Sequence, residues 1–363
     1  MKVIVGLSGG VDSSLAAWLL QRQGLAVEAM FMKNWDADDA EGFCPARQDL
    51  EDAQAVCEHL EIPLHKRNFA EQYWQRVFEH FLAEHRAGRT PNPDVLCNRE
   101  IKFGVFLQHA LDLGAEKVAT GHYARVDYHE GRYRLLKGRD PEKDQSYFLH
   151  TLNQAQLSRA LFPLGEWRKS EVRRHAREAG LPTHAKKDST GICFVGEQRF
   201  DQFLRRFIQP RPGEIQTPEG RVLGTHQGLM FYTLGQRKGL GLGGDRSGSG
   251  EPWYVVGKRH RDNVLVVAQG HDHPLLYSRR LWAVRAHWIA GHAPAEPLRC
   301  HAKSRYRQVD QPCTVIDLGG GRLEVRFDQP QRALTPGQSV VFYRDDECLG
   351  GGVIDQVEGV IYG

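Results

Sequence analysis

Three stretches of the 363-residue chain hold side chains whose types and order suit chemistry: Ser8-Gly9-Gly10-Val11-Asp12-Ser13, Asn92-Pro93-Asp94-Val95-Leu96-Cys97-Asn98 and Asp188-Ser189-Thr190-Gly191-Ile192-Cys193-Phe194. In the first, glycines let the backbone approach a phosphate closely, and the free N–H groups of a following helix attract an anion. The Ser8 and Ser13 hydroxyls add donors, and Asp12 is a partner for a bound cation. A tight turn with an Asp cap accounts for the glycines but not for both serines. A Walker loop requires Gly-Lys-Ser or Gly-Lys-Thr at its end, and a dinucleotide loop requires G-x-G-x-x-G at this place; both are absent here. The one literal G-x-G-x-x-G, Gly239 to Gly244, runs into Asp245-Arg246-Ser247-Gly248 without a helix and reads as a flexible loop.

The other two stretches each place a thiol in a distinctive setting. Cys97 follows a proline-stiffened turn at the expected start of a helix around Ile101, where the helix dipole lowers a thiol pKa. Cys193 follows a Lys186-Lys187 pair and Gly191. Taken singly, each fits a small buried hydrophobe at least as well as a reactive thiol. Asp94, close to Cys97, is a candidate general acid or base, and a turn-stabilising aspartate after Pro93 explains it equally well on local grounds.

These groups need a frame. Lys2 to Leu7 is a short apolar run ended by Gly9-Gly10; Ser13 to Arg22 follows with Leu15, Trp18 and Leu19 on one helical face, and Gly24 stops it. Ala26 to Met32 reads as a second strand, Leu50 to Leu60 and Tyr73 to Ala87 as helices, Ile101 to Leu107 as a third, and Lys117 to Ala119 as a strand. That alternation predicts a parallel sheet covered on both faces, with the glycine loop at the carboxyl end of its first strand, where ligands bind. After about Phe200 the pattern turns to β: two runs from Trp253 to Ala268 flank Asp262-Asn263, a hairpin signal, and short strands with glycine turns continue from Leu281 as a small antiparallel barrel or sandwich.

Composition bounds the remaining possibilities. A hydrophobic fraction of 40% with 26% charged residues belongs to a globular chain, and the length calls for two or three domains. No apolar run approaches a signal-peptide core or a membrane span, so a cytoplasmic protein is expected. Seven scattered cysteines without C-x-x-C argue against a disulfide scaffold, a zinc ribbon or a cysteine-ligated iron–sulfur cluster. The net charge of +3 hides an uneven distribution: residues 165 to 261 hold 18 Lys or Arg against 10 Asp or Glu, while nine acids between Asn34 and Glu61 face the single base Arg47. A basic middle suits contact with a polyanion, and solvated helix faces explain it as well.

Ser8 to Ser13 after an N-terminal strand resembles the PP-loop of the ATP pyrophosphatase superfamily, whose members split ATP into AMP and pyrophosphate. Joined with Gly42-Phe43-Cys44-Pro45, Asn92 to Asn98, Thr120-Gly121-His122-Tyr123, Lys143-Asp144-Gln145-Ser146-Tyr147, Asp188 to Phe194 and Thr233-Leu234-Gly235-Gln236-Arg237, it closely resembles the bacterial tRNA-specific 2-thiouridylases along essentially the whole chain. The resemblance implies an α/β fold: a Rossmann-like PP-loop domain over residues 1–200, a central tRNA-binding linker domain over 201–275 and a C-terminal antiparallel β-barrel over 276–363. It implies ATP, with Mg2+, against Gly6, Leu7, Ser8, Gly9, Gly10, Val11, Asp12, Ser13, Met32 and Gly121. It places Asn92, Pro93 and Asp94 on a flipped-out target base, and His122, Lys143, Asp144, Gln145, Arg305, Tyr306 and Gln338 on the tRNA.

The implied reaction transfers AMP to the O2 oxygen of the wobble uridine and then displaces it with sulfur. Cys193 carries the sulfur as a persulfide received from a relay protein, and Cys97 is the catalytic cysteine. Either the persulfide attacks C2 and Cys97 resolves the adduct, or Cys97 first releases sulfide; both routes end in a Cys97–Cys193 disulfide. A monomer without a resident metal is implied. Other readings stand beside this one: an amidating PP-loop enzyme would ignore both thiols, an iron–sulfur tRNA thiolase would cluster its cysteines, and a tRNA-binding protein holding ATP only as a ligand would leave both cysteine motifs idle.

Overall fold

The computed structural model of the chain describes residues 1–35, 45–188, 200–243, 250–294 and 297–362. Cys193, Cys44 and Gly244 therefore lie outside the described residues. The first strand, β1 (Lys2–Gly6), buries Val3, Ile4 and Val5 completely, as a strand covered on both faces must. It pairs in parallel with β2 (Ala26–Lys33) on one side and, on the other, with β4 (Lys117–Ala119). β3 (Leu64–Asn68) extends the sheet beyond β2, and β7 (Ala160–Leu161) beyond β4, giving the order β3-β2-β1-β4-β7. The side chains of β1 alternate between two cores: Val3 and Val5 join Leu15, Cys57 and Val172, whereas Ile4 joins Tyr73, Phe78, Ile101 and Phe106.

After β1 the chain moves to β2 and β3 on one side, and then returns to β4 on the other. The crevice between the carboxyl ends of β1 and β4 is thus the topological switch point of the sheet. The glycine loop, residues 7–10, and the turn at Gly121 sit at its two lips.

The helix carrying the first candidate thiol differs from expectation. It begins at Pro93, whose ring presets the helical φ, after Asn92 in extended conformation, and runs through residues 93–112. Cys97 consequently lies a full turn inside, beyond the first turn where the dipole acts on a thiol. From Cys97 to Val105 the helix widens to i→i+5 bonding, a rare winding that is frequent at functional sites.

The middle of the chain builds β8 (Gly213–Gln216), β9 (Val222–His226), β10 (Trp253–Arg259) and β11 (Val264–Gln269). The expected hairpin at Asp262-Asn263 is present, with Asn263 at φ 54°. The last strand, β18 (Ile361–Tyr362), returns to pair with β10. A closed barrel follows, formed by β12 (Tyr277–Trp288), β13 (Leu298–Lys303), β14 (Gln311–Gly319), β15 (Arg322–Arg332), β16 (Ser339–Arg344) and β17 (Glu347–Val357). Its strands run antiparallel in the order β12-β15-β14-β13-β16-β17, and β17 closes back onto β12.

One hairpin crosses the divide. β5 (Ala124–His129) and β6 (Arg132–Lys137) leave the parallel sheet and attach to the barrel, with Leu135 opposite Cys348 and Leu136 opposite Glu347. Among the described residues, no helix is long and apolar enough to cross a membrane.

Candidate active site

The glycine loop is held in shape by its own serines. Ser13 Oγ accepts from Ser8 N at 3.2 Å and donates to Gly10 O at 3.1 Å, while Ser14 Oγ donates to Gly10 O at 2.8 Å. Gly9 has φ +72°, and a Cβ there would lie 2.3 Å from the Asp49 carbonyl, so the loop cannot accept a side chain at that point. Gly10 leads into the Val11–Arg22 helix without a side-chain cap, which leaves the first-turn N–H groups to a ligand. Leu7 is fully buried, Val11 nearly so, and Gly6 packs against Met32 and Phe106.

Gly121 closes the other lip. A Cβ there would stand 2.8 Å from both Asp12 C and Ser13 N. Gly121→Ala should therefore weaken ATP binding by about tenfold and also lower the melting temperature, because the clash must shift either this turn or the glycine loop. Titration calorimetry checks this, and unchanged affinity would show that the contact is irrelevant.

The charge beside the loop comes from far away in the chain. Both oxygens of Asp12 accept from Lys169 Nζ, at 2.7 and 2.8 Å, and Oδ1 also accepts from Tyr123 Oη at 2.7 Å. A lysine thus stands beside the loop, but it comes from the Lys169–Glu178 helix and is paired with Asp12. Lys169 and Tyr123 escape a reading of the sequence because 157 and 111 residues separate them from Asp12. The only local hint is that Lys169 opens a helix.

Asp94 and Cys97 stand on the helix whose Phe106 packs against Gly6, and Cys97 shares a core with Ile4 of β1. Cys97 is 2% exposed. Loss of water raises the Asp94 carboxyl pKa, and the charge of Lys102 only partly offsets this. The approach to Asn92 and Pro93 is fastened by the barrel: Gln338 Nε2 donates to Thr90 O at 2.7 Å, and Thr90 N donates to Pro336 O at 3.0 Å. Next to Cys97, Asn98 Nδ2 donates to Phe148 O at 3.1 Å, and its buried Oδ1 has no partner among the described residues.

The residues expected on tRNA fall into two groups. Lys143, Tyr306 and Gln145 remain partly exposed around one loop: Tyr306 Oη donates to Lys143 O at 3.2 Å, its ring lies 4.5 Å from that of Phe148, and Gln145 Oε1 accepts from Tyr123 N. Asp144 and His122 are buried. Asp144 accepts from Gly138 N, Ser146 N and Ser146 Oγ, which fixes the loop. The His122 ring sits between Phe103 and Phe162 with Thr120 Oγ1 2.7 Å from Nδ1, and burial keeps it neutral at pH 7. Arg305 is exposed, and its guanidinium donates to the carbonyls of Leu234 and Ala333, joining the middle segment to the barrel.

Residues 1–197 match the family described as tRNA methyl transferase HUP domain, 201–269 the tRNA methyl transferase PRC-barrel domain, and 278–354 the aminomethyltransferase beta-barrel domain. The chain is 64% identical over 355 residues to the tRNA-specific 2-thiouridylase MnmA of Methylococcus capsulatus, covering 97% of this chain and 96% of that protein. It is 59% identical to the protein of the same name from Nitrosococcus oceani, over 99% of this chain and 98% of that one. The Pseudomonas paraeruginosa counterpart is 58% identical over 100% and 96%. With this identity along nearly the full length of both partners, and with the glycine loop and the Cys97 helix on one parallel sheet, the chain belongs to the tRNA-specific 2-thiouridylase family.

Proposed function

We propose that this chain is a sulfurtransferase that replaces O2 of the wobble uridine of tRNA by sulfur at the expense of ATP. The observation that carries the reading is the meeting of two kinds of chemistry on one sheet. A phosphate-shaped loop lies at the switch point, and the helix bearing Asp94 and Cys97 packs through Phe106 against Gly6, the last residue of the strand that leads into that loop. Family membership and the partly exposed Lys143 and Tyr306 beside the same sheet support tRNA as the acceptor.

The uracil C2 carbonyl is amide-like and does not release its oxygen unaided. Attack of O2 on the α-phosphorus of ATP forms the O–P bond and expels pyrophosphate, which converts that oxygen into the leaving group AMP. The loop residues Gly6, Leu7, Ser8, Gly9, Gly10, Val11, Asp12 and Ser13, with Met32 and Gly121, bind the nucleotide. Asp12, held by Lys169 and Tyr123, offers at most one carboxylate to Mg2+, and no group of three ligating side chains occurs among the described residues. Those residues suit a magnesium ion that enters on the phosphates and not one caged by protein, and its charge there would neutralise the polyphosphate.

Asn92, Pro93 and Asp94 receive the extruded base beneath the barrel clamp, and Asp94 moves the proton. The terminal sulfur of a Cys193 persulfide then attacks C2 and AMP departs. The Cys97 thiolate attacks the Cys193 sulfur, the thiocarbonyl leaves with the electron pair, and a Cys97–Cys193 disulfide remains for an external thiol to reduce. In the alternative order Cys97 first frees hydrosulfide, which attacks C2, and the same disulfide results. His122, Lys143, Asp144, Gln145, Arg305, Tyr306 and Gln338 position the tRNA, some by contact and the buried ones by holding the contacting loops. A persulfide-donating relay protein supplies the sulfur, and the enzyme acts as a cytoplasmic monomer.

The test is direct. Purified chain, ATP, magnesium, inorganic polysulfide as the donor of sulfane sulfur and an unmodified tRNA transcript are incubated, and the digested nucleosides are analysed by mass spectrometry. 2-Thiouridine should appear only when ATP is present. Its absence, or its formation without ATP, refutes the reading.

A further inference from the structure

The helix that bears Asp94 and Cys97 also bears a lysine to which the proposed chemistry gives no part. Lys102 stands between the buried Ile101 and Phe103 and is itself only partly exposed. Its ammonium makes no hydrogen bond or ion pair among the described residues, whereas Arg99 and Glu100 of the same helix pair with each other. In an α-helix Lys102 would stand about 80° round the axis from Asp94. The i→i+5 winding from Cys97 to Val105 turns the chain through less per residue and brings Lys102 back to the Asp94 side. Accordingly, among the described residues, Lys102 is the one whose charge acts on the Asp94 carboxyl, and it acts on His122 as well. The His122 ring lies 6.3 Å from that of Phe103, and His122 follows Gly121, the glycine packed on Asp12 and Ser13 of the loop. Lys102 therefore stands between the segment proposed for the base and the lip proposed for the nucleotide.

We infer that Lys102 is a catalytic residue of the activation step, in which its ammonium meets the α-phosphate as that group passes from pyrophosphate to uracil O2 and neutralises the charge on it. The inference rests on the proposed function, in which O2 is adenylated. The reacting phosphorus must lie between the glycine loop that holds the polyphosphate and residues 92–94 that hold the base, which is the span Lys102 occupies. Lys169, beside the same loop, is already paired with Asp12 and Asp188, so its charge is spent within the protein. As O2 bonds to the α-phosphorus, pyrophosphate leaves with the electron pair of the broken P–O bond, and the N3 proton of the base passes to Asp94. Lys102 neither gives nor takes a proton. A cation fixed at a half-buried position interacts with a phosphate more strongly than one in bulk water, because less solvent screens it. The contrasting role for such a side chain is a stem packed on the core with its head in solvent, and removing the charge would then leave activity unmoved.

Full-length wild type, Lys102→Met and Lys102→Arg are mixed in excess over tRNA transcript with ATP and magnesium, without a sulfur donor, and pyrophosphate is timed in a single turnover. Methionine keeps the stem and removes the charge. In Lys102→Met the tRNA-dependent release should slow about a hundredfold, as when one charge-stabilising group is lost from an active site. ATP affinity by calorimetry should stay within about threefold, and the melting temperature should hold. Lys102→Arg should keep the rate within about tenfold of wild type. The slow release left in Lys102→Met should also show its acid limb at a higher pH, since the charge that opposed burial at Asp94 is gone. A disturbed helix would slow both variants alike and leave the acid limb in place, and that result overturns the inference. Release at the wild-type rate in Lys102→Met overturns it too. If polysulfide then still yields 2-thiouridine, the lysine is a solvated side chain; if it does not, the charge serves Cys97 instead. Should the wild type itself release no pyrophosphate in response to tRNA, the proposed function falls, and this inference falls with it.

Discussion

Cys97→Ser should leave no measurable 2-thiouridine, a loss of more than about a hundredfold, while tRNA-dependent pyrophosphate release continues. The expectation follows from what each step asks of the thiol. Activation of O2 needs the loop, the nucleotide and the extruded base, none of which involves sulfur. Completion needs a thiolate to take the Cys193 sulfur away from the product, and a serine hydroxyl is a far weaker nucleophile at neutral pH. Cys97 is almost fully buried, so the smaller oxygen can be accommodated without opening the helix. Cys193→Ser should abolish persulfide-driven thiolation equally. The Cys97–Cys193 disulfide, trapped by alkylating the remaining thiols and read by peptide mass spectrometry, should accumulate one per turnover in wild type and be absent from both variants. If thiolation survives in Cys97→Ser, the thiol is a core residue like Cys348 and the proposed chemistry is wrong.

Asp94→Asn should lower the thiolation rate by about 10²- to 10⁴-fold, the range associated with losing a positioned acid or base. Burial raises this carboxyl above the ordinary aspartate value of about 3.9, which brings it closer to the pH at which a base must work. As a base it acts in its ionised form. The wild-type rate should therefore fall as pH drops through the raised pKa, and that acid limb should vanish in Asp94→Asn. The sign of the stability effect is opposite to that of the activity effect. A carboxyl whose folded pKa lies above its unfolded one contributes its stability below the unfolded value and loses it as pH rises through the folded value. At neutral pH, then, ionised Asp94 costs stability, and the amide variant should melt no lower than wild type. Single-turnover rates across pH, beside thermal melts, check both halves. A pH profile that keeps its acid limb in Asp94→Asn would transfer the role to another group.

Local features of the sequence were the legible ones. The β1 run, the glycine loop and the helix after it are announced by adjacent residues, because apolar burial, φ > 0 at Gly9 and helix initiation are settled within a few positions. The Asp262-Asn263 hairpin and the strands of the barrel were legible for the same reason. Proline misled at one place: read as a turn before the helix, Pro93 is instead its first residue, and so Cys97 moves out of the dipole's reach. The ion pairs around Asp12 and Asp188 were illegible, since each partner looks like an ordinary surface charge until the fold assembles them. So was the destination of β5 and β6. Their alternating, half-exposed residues give a hairpin pattern, but the partner edge, Glu347 and Cys348, lies more than 200 residues along the chain.

That borrowed hairpin bears on how such a protein can be inherited. Three recognisable family segments suggest parts that recombination could exchange at their seams. Yet residues 124–137, inside the first segment, form strands of the third, joined to it by main-chain hydrogen bonds and by Arg125 to Asp346 and Arg132 to Glu347. A lineage that replaced its barrel would leave β6 paired only with β5 and expose its other edge, the kind of surface that nucleates aggregation. The barrel and the nucleotide-binding sheet must therefore descend together, or exchange two distant pieces of gene at once.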